Sequence, residues 1–179
     1  MTPIILDSDE PPIGAVIFLH GLGADGFDFK DIFTRPQFNK IRFILPHAPY
    51  QPVTINQSYE MRAWYDLYDL SLDKDEDESG MERSSLNIQK LIEEQISLGI
   101  PSEKIIIGGF SQGAAISFYL GLKYHKKLGG IAALSGYLPL KESLTDSVKG
   151  KLANMPIFMA HGLYDNVIDI QIADSSFKK

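Results

Sequence analysis

Ile105-Ile106-Ile107-Gly108-Gly109-Phe110-Ser111-Gln112-Gly113-Ala114-Ala115-Ile116-Ser117 holds the reading on which the fold turns. Its first residues form a short apolar run of the kind that makes a strand buried on both faces, and Ala114 to Ser117 open a helix. Between them lies Gly109-Phe110-Ser111-Gln112-Gly113, a G-x-S-x-G pentapeptide. A serine on so sharp a strand-to-helix turn has its hydroxyl pushed out of the sheet end, where side chains at the flanking positions would collide with helix and neighbouring strand. The same turn sets the Gln112 N–H at a helix N-terminus, where it can stabilise a developing oxyanion. The competing reading is a glycine-lined packing turn with an incidental serine.

The pattern repeats on either side. Gly14–Leu19 and Ile41–Leu45 are short apolar runs bounded by Pro and Gly, with helix-spaced Phe29, Ile32 and Phe33 between them and Pro36 to end any helix there. Three prolines from Pro46 to Ser58 predict a loop. Asp73–Glu78 reads as a solvated acidic loop. Ser79 with Glu82 fits a capping box for a helix with an Ile88, Leu91, Ile92, Ile96 stripe, stopped by Gly99 and Pro101. Lys104–Phe110, Leu128–Leu134 and Met155–Ala160 read as strands, Gln112–Tyr124 as a helix, and the stretch up to Asn154 as a polar loop. Strand alternating with helix, the strands apolar throughout, predicts an α/β fold with a mostly parallel sheet covered on both faces. One domain, residues 1–179, is expected.

His20-Gly21-Leu22-Gly23-Ala24-Asp25-Gly26 is a literal G-x-G-x-x-G after a strand. A dinucleotide reading wants an acid about twenty residues on, near the end of the next strand. That place holds Leu45-Pro46-His47-Ala48-Pro49, and Asp25 would set a carboxylate beside the pyrophosphate. The alternative is that this loop supplies a second oxyanion donor, the Leu22 N–H, opposite Gln112. A plain glycine-rich turn fits both readings.

An activated serine in this context is followed in the chain by an acid and then a histidine. Asp165, on the loop after Met155–Ala160, takes the acid's place, with Asp169 as its competitor and a helix cap as the plain reading of either. None of the four histidines, His20, His47, His125 and His161, follows Asp165, and the sequence stops fourteen residues beyond it. A shortened chain is therefore expected, since another strand, a base-bearing loop and a covering helix need about 25 to 40 residues. His20 and His161 each precede a glycine at a strand end and are the resident candidates to replace the base.

Net charge is −6, of which Asp73–Glu78 contributes −4 through five acids and one lysine. No basic footprint for nucleic acid remains. The chain has no cysteine, which excludes thiolate metal sites and a cysteine nucleophile. No metal or cofactor is expected. There is no signal-like N-terminus and no apolar stretch approaching about 18 residues, so no integral membrane segment and a cytoplasmic protein are expected.

Phe18–Gly26, Pro46–Pro49, Arg62-Ala63-Trp64-Tyr65-Asp66, Gly109–Ala115 and Leu134-Ser135-Gly136-Tyr137-Leu138-Pro139 together resemble the carboxylesterase/acyl-protein thioesterase family, in its order and spacing from about Gly14 to Val167. The resemblance implies an α/β-hydrolase fold lacking its last strand and helix. It implies hydrolysis of small acyl esters or acylated proteins, with Ser111 as nucleophile, Asp165 as orienting acid, and Leu22 and Gln112 as oxyanion donors. Gly23 would touch substrate, as would Trp64, which lies in the family's substrate-covering region Val53–Leu72 and has core packing as its plain reading. The family's catalytic histidine follows the acid and has no counterpart here. Two functions follow: a serine esterase or thioesterase forming an acyl-enzyme at Ser111, or an inactive acyl-binding or interaction protein. An uncovered sheet edge further predicts homodimers, swapped assemblies or aggregation.

Overall fold

The computed structural model describes residues 2–8, 10–69, 76–141, 144 and 155–178. Its strands are, in chain order, β1 (Ile4–Leu6), β2 (Gly14–Leu19), β3 (Ile41–Leu45), β4 (Tyr50–Val53), β5 (Tyr59–Arg62), β6 (Ile105–Phe110), β7 (Gly130–Leu134) and β8 (Ile157–Ala160). Six of them form one sheet in the order β1-β3-β2-β6-β7-β8, parallel except for β1. In register across it, Ile44, Ile17, Ile107 and Ile131 form one buried row. Their neighbours Phe43, Val16 and Phe18 point to the other face, as the two-residue period of a strand requires.

The isoleucine face packs under helices α2 (Glu78–Ser97) and α3 (Gln112–Lys123), in one core with Ile88, Ile92, Ile116 and Tyr119. The other face is closed by α1 (Lys30–Phe33) and the tight turns beside it, through a ring cluster of Phe18, Phe29, Phe33, Phe38 and Phe43. Pro36 ends α1, which is why the predicted helix between β2 and β3 is broken into single turns. After β8 comes α4 (Ile170–Phe177), whose Ile172 rests on the first core and whose Ala173 is buried. No helix among the described residues is long and apolar enough to cross a membrane.

Three expectations are corrected. The stretch read as a loop from Pro46 to Ser58 contains β4, which pairs antiparallel with β5; Pro52 is tolerated because this two-stranded ribbon lies outside the main sheet. The cap of α2 is Asp77 rather than Ser79, accepting from the Gly80 N–H at 2.9 Å, while Glu82 accepts from the Tyr119 hydroxyl at 2.7 Å. The end of the acidic run is not a solvated loop either: Asp77 is buried, and Glu76 accepts from the Leu140 N–H at 2.5 Å. Against the pull of burial, N–H bonds from Asp66 and Gly80 hold the Asp77 carboxyl below its ordinary range. Asp73, Lys74 and Asp75 of that run, and residues 142–143 and 145–154 of the polar loop before Met155, lie outside the described residues.

Candidate active site

Because β2, β6, β7 and β8 run parallel, the residues after their carboxyl ends gather along one edge of the sheet. Ser111 follows the central strand β6 with φ 53° and ψ −118°, a conformation that non-glycine residues seldom adopt. It is held by its own N–H donating to Leu134 O at 2.9 Å and by its carbonyl accepting from Ala114 N–H at 3.0 Å. The flanking glycines are required sterically: a Cβ on Gly109 would meet Ala114 N at 2.8 Å, and one on Gly113 would meet His20 O at 2.6 Å.

Ser111, Gln112 and Leu22 line one cavity of about 300 Å³, together with Ile55, Leu67, Tyr65, Tyr137, Val167 and Ile168. Among the described residues neither the Gln112 nor the Leu22 N–H has a backbone partner. Tyr65 and Tyr137 share a hydroxyl–hydroxyl bond of 2.7 Å, and burial pushes both phenols above their ordinary range.

Asp165 turns the chain after β8. Its Oδ1 accepts from Val167 N–H at 2.9 Å and Ile168 N–H at 3.0 Å, and the bonds from Ile168 and Val167 hold the carboxyl below its ordinary range. Its Oδ2 lies 3.6 Å from His161 Nε2. Asp169 instead caps α4, accepting from Gln171 N–H at 2.7 Å.

Three of the four histidines hydrogen-bond backbone groups. His20 is fully buried: its Nε2 accepts from Ala48 N–H at 3.0 Å, so its Nδ1 carries the proton and donates to Gly21 O at 2.7 Å. Burial holds this imidazole below its ordinary range, as a neutral ring with both nitrogens engaged. His161 Nε2–H donates to Ile168 O at 2.8 Å. His47 Nδ1 accepts from the Gly26 N–H at 3.2 Å, and His125 is exposed. In the glycine loop, Asp25 accepts from Phe27 N–H at 2.8 Å and caps the turn that follows.

Trp64 is 3% exposed and is not among the cavity's lining residues; its indole N–H donates to His20 O at 2.8 Å. Gly23, at φ 75°, donates its N–H to Arg62 O at 2.8 Å. Sequence reasoning did not single out Val167 and Ile168, whose place on the cavity wall follows from the Asp165 turn. Among the described residues no group of three or more His, Cys, Asp or Glu is arranged to hold a metal ion.

The profile of the family described as Phospholipase/Carboxylesterase matches residues 1–179. Acyl-protein thioesterase 1 of Schizosaccharomyces pombe is 38% identical over 179 residues, covering 99% of this chain and 80% of that protein. The protein of the same name from Yarrowia lipolytica is 40% identical over 158 residues, 86% of this chain and 70% of that one. Among solved structures, Zea mays acyl-protein thioesterase 2 superposes with a TM-score of 0.87 at 27% identity, covering 98% of this chain and 82% of that one. Arabidopsis thaliana SOBER1 gives 0.84 at 29%, covering 92% and 81%. With a matching profile along all its residues and an elbow serine at the sheet edge, the chain belongs to the phospholipase/carboxylesterase family and is a hydrolase of the α/β-hydrolase fold.

Proposed function

We propose that the chain hydrolyses acyl esters and thioesters, including those of acylated proteins, in the cytoplasm through an acyl-enzyme at Ser111. The observation that carries this reading is the strained Ser111 turn sharing a cavity with the Leu22 and Gln112 N–H groups. Ser111 Oγ bonds to the acyl carbon, and the carbonyl oxygen becomes an oxyanion that accepts from those two donors. The C–S or C–O bond to the leaving group then breaks, and the proton lost from Ser111 goes to the departing thiolate or alkoxide. Water repeats the sequence to release the acid. Asp165 Oδ2, 3.6 Å from His161 Nε2 and without an N–H bond like those on Oδ1, is the oxygen that would orient an imidazole. No histidine follows Asp165 among the 179 residues.

The test is release of thiol from a medium-chain acyl thioester, with and without added imidazole. Slow turnover is expected, accelerated by imidazole and absent in Ser111→Ala, because oxyanion stabilisation alone is worth about a thousandfold over water. A second reading, an acyl-binding protein without turnover, is favoured by the engagement of both His20 nitrogens with backbone. It predicts saturable binding of a non-hydrolysable acyl analogue and no thiol release even with imidazole.

A further inference from the structure

Apart from its backbone donor, Gln112 carries a side chain that the proposed chemistry does not use. It is 5% exposed. Its Oε1 accepts from Trp64 N–H at 2.8 Å, and its Nε2 donates to Tyr65 O at 2.8 Å. One carboxamide therefore pairs with two consecutive residues of a neighbouring chain segment, as a strand partner would.

That segment, residues 62–66, is tied in turn to the glycine loop. Trp64 Nε1–H donates to His20 O at 2.8 Å, and Gly23 N–H donates to Arg62 O at 2.8 Å, so the two ties bracket Leu22. A third route runs from Arg62 Nη1 to Ala48 O at 2.7 Å and from Ala48 N–H to His20 Nε2 at 3.0 Å. From behind, Ser84 Oγ donates to Trp64 O, and Asp66 N–H donates to Asp77 Oδ2 at 2.9 Å.

We infer that the Gln112 carboxamide is a positioning residue, which clamps residues 62–66 to the serine turn and thereby holds the Leu22 and Gln112 N–H groups at a fixed spacing. The clamp needs one acceptor and one donor on a single planar group. Methionine supplies neither. Glutamate supplies both only when protonated, and burial raises its pKa above its ordinary value of about 4.3. The catalytic meaning of the clamp rests on the oxyanion role proposed above for these two donors.

Hydrogen–deuterium exchange by mass spectrometry on the 179-residue chain tests it, with the Gln112→Met and Gln112→Glu variants each compared with wild type at about pH 5 and pH 8. Exchange in residues 20–26, to which the Gln112 carboxamide's hydrogen bonds lead through residues 62–66, is expected to rise about tenfold or more in Gln112→Met. Peptides from β1 and β3 should not change. In Gln112→Glu the same loop is expected to match wild type at pH 5, where the carboxylic acid donates to Tyr65 O, and to exchange like the methionine variant at pH 8. Unchanged exchange in residues 20–26 of Gln112→Met, or a Gln112→Glu loop whose difference from wild type is the same at both pH values, would overturn the clamp. Should the methionine variant fail to fold, the pH response of the glutamate variant decides. Failure of Ser111 to accept an acyl group would count against the proposed function and leave the exchange result standing.

Discussion

At Ser111 a strained backbone angle and the proposed nucleophile meet in one residue. A φ of 53° in a residue with a Cβ stores strain of about 1–3 kcal/mol, which the collision-limited turn between Gly109 and Gly113 imposes. Glycine relieves that strain and alanine does not. Ser111→Gly is therefore expected to be more stable than Ser111→Ala by about 1 kcal/mol in urea unfolding, although both lack the hydroxyl. Equal stability of the two would mean that the turn is unstrained. This residue was legible in the sequence because few contexts tolerate two glycines and a serine between an apolar strand and a helix. Val167 and Ile168 were not legible, since nothing in their identity marks them until the Asp165 carboxylate turns the chain and carries them to the cavity wall.

Among the elements, the loop after β2 depends on a buried neutral histidine. The unfolded chain binds a proton at His20 near the ordinary value of 6.5, whereas the folded ring resists it because burial disfavours the charge. Stability from this site is therefore present above pH 6.5 and lost as pH falls through the lowered folded value. The slope is up to about 1.4 kcal/mol per pH unit. His20→Gln, whose amide can accept from Ala48 N–H and donate to Gly21 O, is expected to flatten that loss between about pH 5 and 6.5 in urea melts. An unchanged slope would assign the acid sensitivity to other groups. Elements whose pattern is set by local chemistry, such as β6, α3 and the apolar stripe of α2, could be read from sequence. The β4–β5 hairpin could not, because Pro52 and its polar alternation carry a loop's composition while pairing outside the main sheet. The start of α2 was displaced to Ser79 because Asp77 lies within a charge run that hides its capping role.

Over the whole molecule, the sheet is paired unevenly. Among the described strands β8 has one neighbour, β7, and its residues Ile157 and Phe158 are 39% and 62% exposed. Beside it lies a groove of about 450 Å³, lined by Met159, His161, Leu163, Ile170, Ala173 and Phe177 among others. An apolar edge strand with an open ladder is a template for pairing with another chain. The 179-residue polypeptide is therefore expected to self-associate, and Phe158→Lys to shift it toward monomer in light scattering at matched concentration. A wild-type monomer at high micromolar concentration would contradict this.

The central claim, that Ser111 is the nucleophile, is tested most directly by the intact mass of the chain before and after exposure to a fluorophosphonate, with Ser111→Ala alongside. The account predicts a single adduct that forms slowly, faster with added imidazole, and not at all in Ser111→Ala. An adduct that persists in Ser111→Ala, or no adduct on wild type even with imidazole, would contradict it.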